Sequence, residues 1–146
     1  MREETTIKER EEEIVSSFSF LDSWDDKYEY IIELGKKLAP LGEKYKTPDN
    51  IVKGCQSTVW LVANEKDGRI FYEADSDAII VKGLISMLVS VLQGQRPQDI
   101  LDAKLGFIEE IGMNAHLAQT RSNGLLAMVK QMKNYALAYQ VKNQNA

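Results

Sequence analysis

Cys55 is the only cysteine among 146 residues. It stands in IVKGCQSTVW, residues 51–60, at a turn and outside any apolar face. Gly54 opens backbone conformations closed to other residues and suits a side chain carried at a loop tip. Lys53 favours a thiolate, as nearby cations do. Gln56 and Ser57 bring hydrogen-bond donors to a sulfur anion. The ordinary alternative is that a lone cysteine is a small buried hydrophobe. The residues themselves leave both readings open.

A single thiol has few reactions available to it. A hydrolytic cysteine needs a base and an oxyanion hole. His116 is the only imidazole; beside Leu117 and Ala118 a structural or surface role is the commoner one, and a Cys55–His116 pair stays as an alternative. A dithiol redox cycle lacks a resolving cysteine. One Cys and one His do not build a closed zinc site or hold an iron–sulfur cluster in one chain. No G-x-G-x-x-G or Walker pattern is present. No metal and no cofactor is therefore expected. What suits one thiol is group acceptance. The thiolate attacks the terminal sulfur of a donor persulfide, the donor S–S bond breaks, and the donor thiolate leaves.

The elements that must present this thiol can be read from the pattern. Residues 5–18 predict a helix with Ile7, Ile14, Val15 and Phe18 inward. A second is capped by Asp22 or Ser23, has Asp25 and Asp26 in its first turn, buries Tyr28, Ile31, Ile32, Leu34 and Leu38, and ends by Pro40 and Gly42. Pro48-Asp49-Asn50 is a turn, and Ile51–Lys53 a short strand leading into Gly54-Cys55. STVWLVAN (57–64) and RIFYEA (69–74) are strands joined through an Asp-Gly hairpin signal. A helix apolar on nearly every side follows, capped by Ser76 or Asp77, and lies across the sheet. Pro97 opens a short helix, residues 107–112 add a turn or two, and the last helix turns Leu125, Met128, Val129, Met132 and Tyr135 inward. The order predicts one α+β domain over residues 1–146, a small antiparallel sheet of about three strands covered by helices.

Composition narrows the partners. A net charge of -4 argues against general nucleic-acid binding, which needs a basic surface. The charged opening MREETTIKEREEEIV lacks the apolar stretch of a secretory signal, and no apolar run reaches the length of a membrane span. With one thiol there is no disulfide framework. A cytoplasmic protein is expected, a monomer or a homodimer. Glu9–Glu13 read as a solvated helix face, Trp60 as core, and Lys82 and Gly83 as packing and solvation.

Five segments in order, WDDKYEYIIELGKKL, GCQSTVW, DSDAIIVKGLI, RPQDI and HLAQTRSNGLLAM, span about residues 20–132. Together they resemble the SufE family of sulfur acceptor proteins. The resemblance implies a fold similar to NifU- and IscU-type scaffolds. It implies a carrier that takes persulfide sulfur from a PLP-dependent, SufS-like cysteine desulfurase, stimulates it, and serves a SufBCD-like iron–sulfur scaffold. By position Cys55 matches the acceptor cysteine and Arg121 an arginine near the acceptor loop. Asp77 matches an acidic residue that helps set that loop's mobility. Gly54 and Gln56 match the flanking motif and, with Lys53, form the loop and partner-binding set. Two alternatives stay beside this reading: a carrier feeding another sink such as tRNA modification, and an activator that carries no sulfur. Structural roles also compete. Asp77 equally fits an N-cap, whereas Arg121 opens the last helix, where the dipole disfavours a cation.

Overall fold

In the computed structural model, residues 5–54, 57–112 and 119–144 are described, with side chains in the last stretch from Leu125 onward. The architecture is α+β, as expected. Strand β1 (Val59–Lys66) pairs antiparallel with β2 (Arg69–Ser76), in register from Val59–Ser76 to Lys66–Arg69. Asp67 and Gly68 form the turn with φ of 55° and 79°. Two positive φ values give a type I′ turn, whose twist matches that of the strands, and Asp-Gly tolerates it.

The sheet has two strands among the described residues, fewer than the three expected. Each outer edge is closed by a single bridge, Ile51 to Trp60 and Gln95 to Ile70. The Val52 N–H donates to the Val59 carbonyl at 2.8 Å. The chain then turns at Lys53 and Gly54, so the predicted Ile51–Lys53 strand shortens to one bridging residue. On the other edge the Gln93 side-chain amide accepts from the Tyr72 N–H at 2.7 Å and donates to its carbonyl at 3.0 Å. A side chain thus does the work of a neighbouring strand.

Helices α1 (Ile7–Ser19), α2 (Trp24–Lys36), α3 (Ile79–Leu92), α4 (Pro97–Asp102), α5 (Phe107–Glu110) and α6 (Gln119–Gln144) surround this hairpin. Thr6 and Glu9 form a capping box at the start of α1, and Ser23 caps α2. These satisfy amide groups that the first turn leaves without partners. The central helix α3 buries Leu84, Ile85, Met87, Leu88, Val89, Val91 and Leu92, in keeping with its uniformly apolar sequence. Leu125, Met128, Met132 and Ala136 of α6 complete the core. Burial pushes the Tyr72 phenol well above its ordinary range, so it remains a donor, at 2.7 Å from the Met132 carbonyl. No helix among the described residues is long and apolar enough to cross a membrane.

The packing role read for Gly83 is borne out, but the helix it meets, and a second feature of the packing, were hidden in the sequence. At the crossing of α2 and α3, a Cβ on Gly83 would lie 2.2 Å from the Ile31 carbonyl oxygen, and one on Gly35 2.9 Å from the Gly83 nitrogen. The backbones meet because neither residue has a side chain. Gly83→Ala gains helix propensity of about 1 kcal/mol but forces the buried helices apart. A net loss of about 2 kcal/mol is expected, a fall of about 6 °C in Tm by calorimetry.

The second feature lies inside the Glu9–Glu13 stretch, where Glu9, Glu12 and Glu13 are exposed as expected but one residue is buried. Arg10 is only 2% exposed. Its guanidinium donates to the carbonyls of Ser90 at 3.2 Å, Val91 at 3.4 Å, and Gln93. These lie at the C-terminal end of α3, where the dipole favours a cation. The neighbouring Glu11 accepts from the Phe107 N–H at 3.1 Å. Burial pushes its carboxyl above the ordinary range against that hydrogen bond, and Glu110 adds to the rise.

Candidate functional site

The hairpin carries its open end, at Val59 and Ser76, next to the segment that holds Cys55. On the side after the cysteine, Thr58 is held at both backbone atoms. Its N–H donates to the Asp77 carboxylate at 3.1 Å. Its carbonyl accepts from the Ser76 hydroxyl at 2.8 Å and from the Asp77 N–H at 3.3 Å. Asp77 is exposed and sits two residues before α3, whose N-cap position is Ala78 with no side-chain cap. The expected N-cap at Ser76 or Asp77 is therefore corrected. Ser76 ends β2, and both side chains turn to Thr58, because the strand end delivers them there before the helix begins.

On the side before the cysteine, Lys53 and Gly54 are exposed. Gly54 has φ +96°, a left-handed conformation that disfavours any side chain. A Cβ there would also come within 3.3 Å of the Ala127 Cβ on α6. The glycine thus lets the chain lie against α6. Arg121 is on the same helix six residues earlier, about 9 Å of helical rise away. Its side chain lies outside the described residues, as do Cys55, Gln56 and His116. The fold brings Gly54, Asp77 and the early part of α6 to the two ends of the Cys55 segment. Lys53 lies beside Gly54.

Behind the site is an ionic cluster that the sequence reading missed. The Asp75 carboxylate is 10% exposed and lies 3.2 Å from the Lys46 ammonium and 3.3 Å from that of Lys82. It also accepts from the Ser76 N–H at 2.8 Å. Burial pushes its carboxyl up, but that hydrogen bond and the two lysines together outweigh burial and hold it below the usual carboxylate range. Lys46 also pairs with Glu43 at 3.4 Å and stands 5.3 Å over the Trp60 ring. Its hydrogen bond to Asp75 leads the causes that raise its pKa. Trp60, expected in the core, is half-buried as this platform. The available signal was Lys82, a cation inside an apolar helix, which needs a carboxylate close by.

The sign of the pH effect follows. Asp75 has a lowered folded pKa, so its contribution is complete above its ordinary value of 3.8 and is lost as pH falls through the lower folded value. Lys46 has a raised folded pKa, so its contribution is complete below 10.5 and is lost as pH rises through the higher folded value. Asp75→Asn is expected to lower Tm between these limits. The gap to wild type should close in acid, as read from melting curves against pH.

Comparison with known proteins bears on the family and the fold. The family profile "SufE: Fe-S metabolism associated domain" matches residues 12–136. An uncharacterized SufE-like protein of Rhizobium meliloti is 40% identical over 131 residues, covering 86% of this chain and 93% of that one. One from Rhizobium etli is 41% identical over 131 residues, covering 86% and 88%. The solution structure of a hypothetical protein from Thermus thermophilus superposes with a TM-score of 0.75 at 19% identity, over 90% of this chain and 96% of that one. At that identity the likeness speaks for the fold.

Proposed function

The chain belongs to the SufE family, which ties it to iron–sulfur metabolism; on that premise we propose that it is a sulfur carrier with Cys55 as the acceptor. The donor is a persulfide on a PLP-dependent cysteine desulfurase. The Cys55 thiolate attacks the terminal sulfur, the donor S–S bond breaks, and the donor cysteine leaves as a thiolate. The carrier then offers its own persulfide to a scaffold that assembles iron–sulfur clusters. The chain supplies no cofactor to this exchange, because one sulfur–sulfur bond replaces another and no net oxidation occurs.

The observation that carries the reading is the setting of the only thiol in the sequence. Its segment is fastened at both ends, by Gly54 packing against α6 and by Asp77 bonding to Thr58. Such fastening limits the conformations in which the thiol is offered to a partner. Lys53 is exposed and stands two residues before Cys55 in the sequence, and a cation close to a thiol favours its anion. Ile51, Ile79 and Leu126, exposed by 39%, 66% and 67%, neighbour the fastened residues and offer apolar contact to a transient partner. Gln56 and Arg121 are assigned to the same surface on their match to the family motif.

The test is incubation with a cysteine desulfurase and cysteine, followed by intact-mass analysis. One added sulfur atom is expected, on the peptide containing Cys55 and removable by reductant. An unchanged mass, under conditions where binding to the desulfurase is demonstrated, overturns the assignment.

A further inference from the structure

The Lys46–Asp75–Lys82 cluster takes no part in the sulfur exchange, yet Lys46 belongs to the stretch of chain that leads into residues 51–54. A nearly buried carboxylate persists only when paired and hydrogen-bonded. Asp75 has the Ser76 N–H and two lysines. One of these, Lys82, belongs to α3. The other, Lys46, belongs to the segment Glu43–Asn50, which runs directly into Ile51 and Gly54. Within that segment the Asn50 amide donates to the Tyr45 carbonyl at 2.8 Å, making it one unit. Lys46 lies over Trp60, and Trp60 is both the bridge partner of Ile51 and the cross-strand neighbour of Asp75. The entry to the Cys55 segment is thus fastened through Asp75, and the exit, at Thr58, through Ser76 and Asp77.

We propose that Asp75 is a positioning residue for the entry arm of the Cys55 segment, separate from Asp77, which positions the exit arm. Three consecutive residues, Asp75-Ser76-Asp77, hold the two arms through different bonds. The role in sulfur transfer rests on Cys55 being the acceptor; the division of labour between the arms does not.

Hydrogen exchange by NMR reads each arm, because the Val52 amide is bonded to the Val59 carbonyl and the Thr58 amide to Asp77. Asp75→Asn should speed exchange at Val52 about three- to tenfold, as expected for losing a partly screened ion pair, and leave Thr58 near wild type. Asp77→Ala should do the reverse. Lys46→Met should reproduce Asp75→Asn and add nothing in the double variant, and it carries the test if Asp75→Asn fails to fold. Each substitution should also speed alkylation of Cys55 by iodoacetamide. Tyr72→Phe loses a buried hydrogen bond elsewhere and should move neither amide nor the alkylation rate. Val52 exchange and alkylation at wild-type rates in both Asp75→Asn and Lys46→Met overturn the proposal, as does an equal response to Tyr72→Phe. Neither readout needs a sulfur donor, so failure of the acceptor assignment would show separately, as an unchanged mass with the desulfurase.

Discussion

Cys55→Ser is expected to reduce sulfur uptake from a cysteine desulfurase to background while binding to the desulfurase persists. The substitution replaces one atom. A serine hydroxyl is almost wholly protonated at neutral pH and does not displace a thiolate from a persulfide, whereas cysteine is intrinsically far more nucleophilic and has an accessible thiolate form. No second thiol can substitute, since the sequence has one cysteine. Its five methionines are thioethers with no ionisable proton to lose. Intact-mass analysis gives the uptake, and titration against the desulfurase gives the binding. A serine variant that still gained sulfur would place the acceptor elsewhere. Full stimulation of the desulfurase by that variant would make the chain an activator and not a carrier.

Arg10→Met is expected to destabilise the protein by about 3 kcal/mol, a fall of about 10 °C in Tm. Methionine fills similar apolar space but leaves the carbonyls of Ser90, Val91 and Gln93 without their donor. Buried acceptors without partners cost about 1–3 kcal/mol each; relief of the guanidinium's own desolvation offsets part of that. Arg10→Lys should recover less than half. An ammonium keeps the charge favoured by the helix end but cannot spread donors over a planar fork. Chemical denaturation of the three proteins tests this. Equal stability of the methionine variant and wild type would mean that water replaces the guanidinium at the end of α3.

How far the sequence carries depends on the range of the interaction concerned. The Asp67-Gly68 turn was legible because its two positive φ values depend on those residues alone. Likewise the apolar α3 had to be central, since it has no polar face to show to water. Ile51–Lys53 read as a strand because local propensity does not register that Gly54 turns the chain toward α6. Arg10 drew no separate reading because it sits among glutamates; the α3 carbonyls that hold it lie at least 80 residues away along the chain. Asp77 read as a helix cap for a similar reason. Its sequence position fits a cap, and only the pairing of β1 with β2 brings Thr58 within its reach.

By itself the sequence determined the α+β class, the hairpin turn, the apolar central helix and a single thiol after a glycine, and its motifs pointed to the family. Each of these follows from short-range sterics, periodic burial or the identity of one side chain. Only the tertiary structure decided that Gly35 and Gly83 let two helices touch, that Arg10 closes α3, that Asp75 gathers Lys46 and Lys82, and that Asp77 holds Thr58. Those contacts join residues far apart in the chain, and their energies depend on burial and mutual orientation, which a linear pattern does not contain.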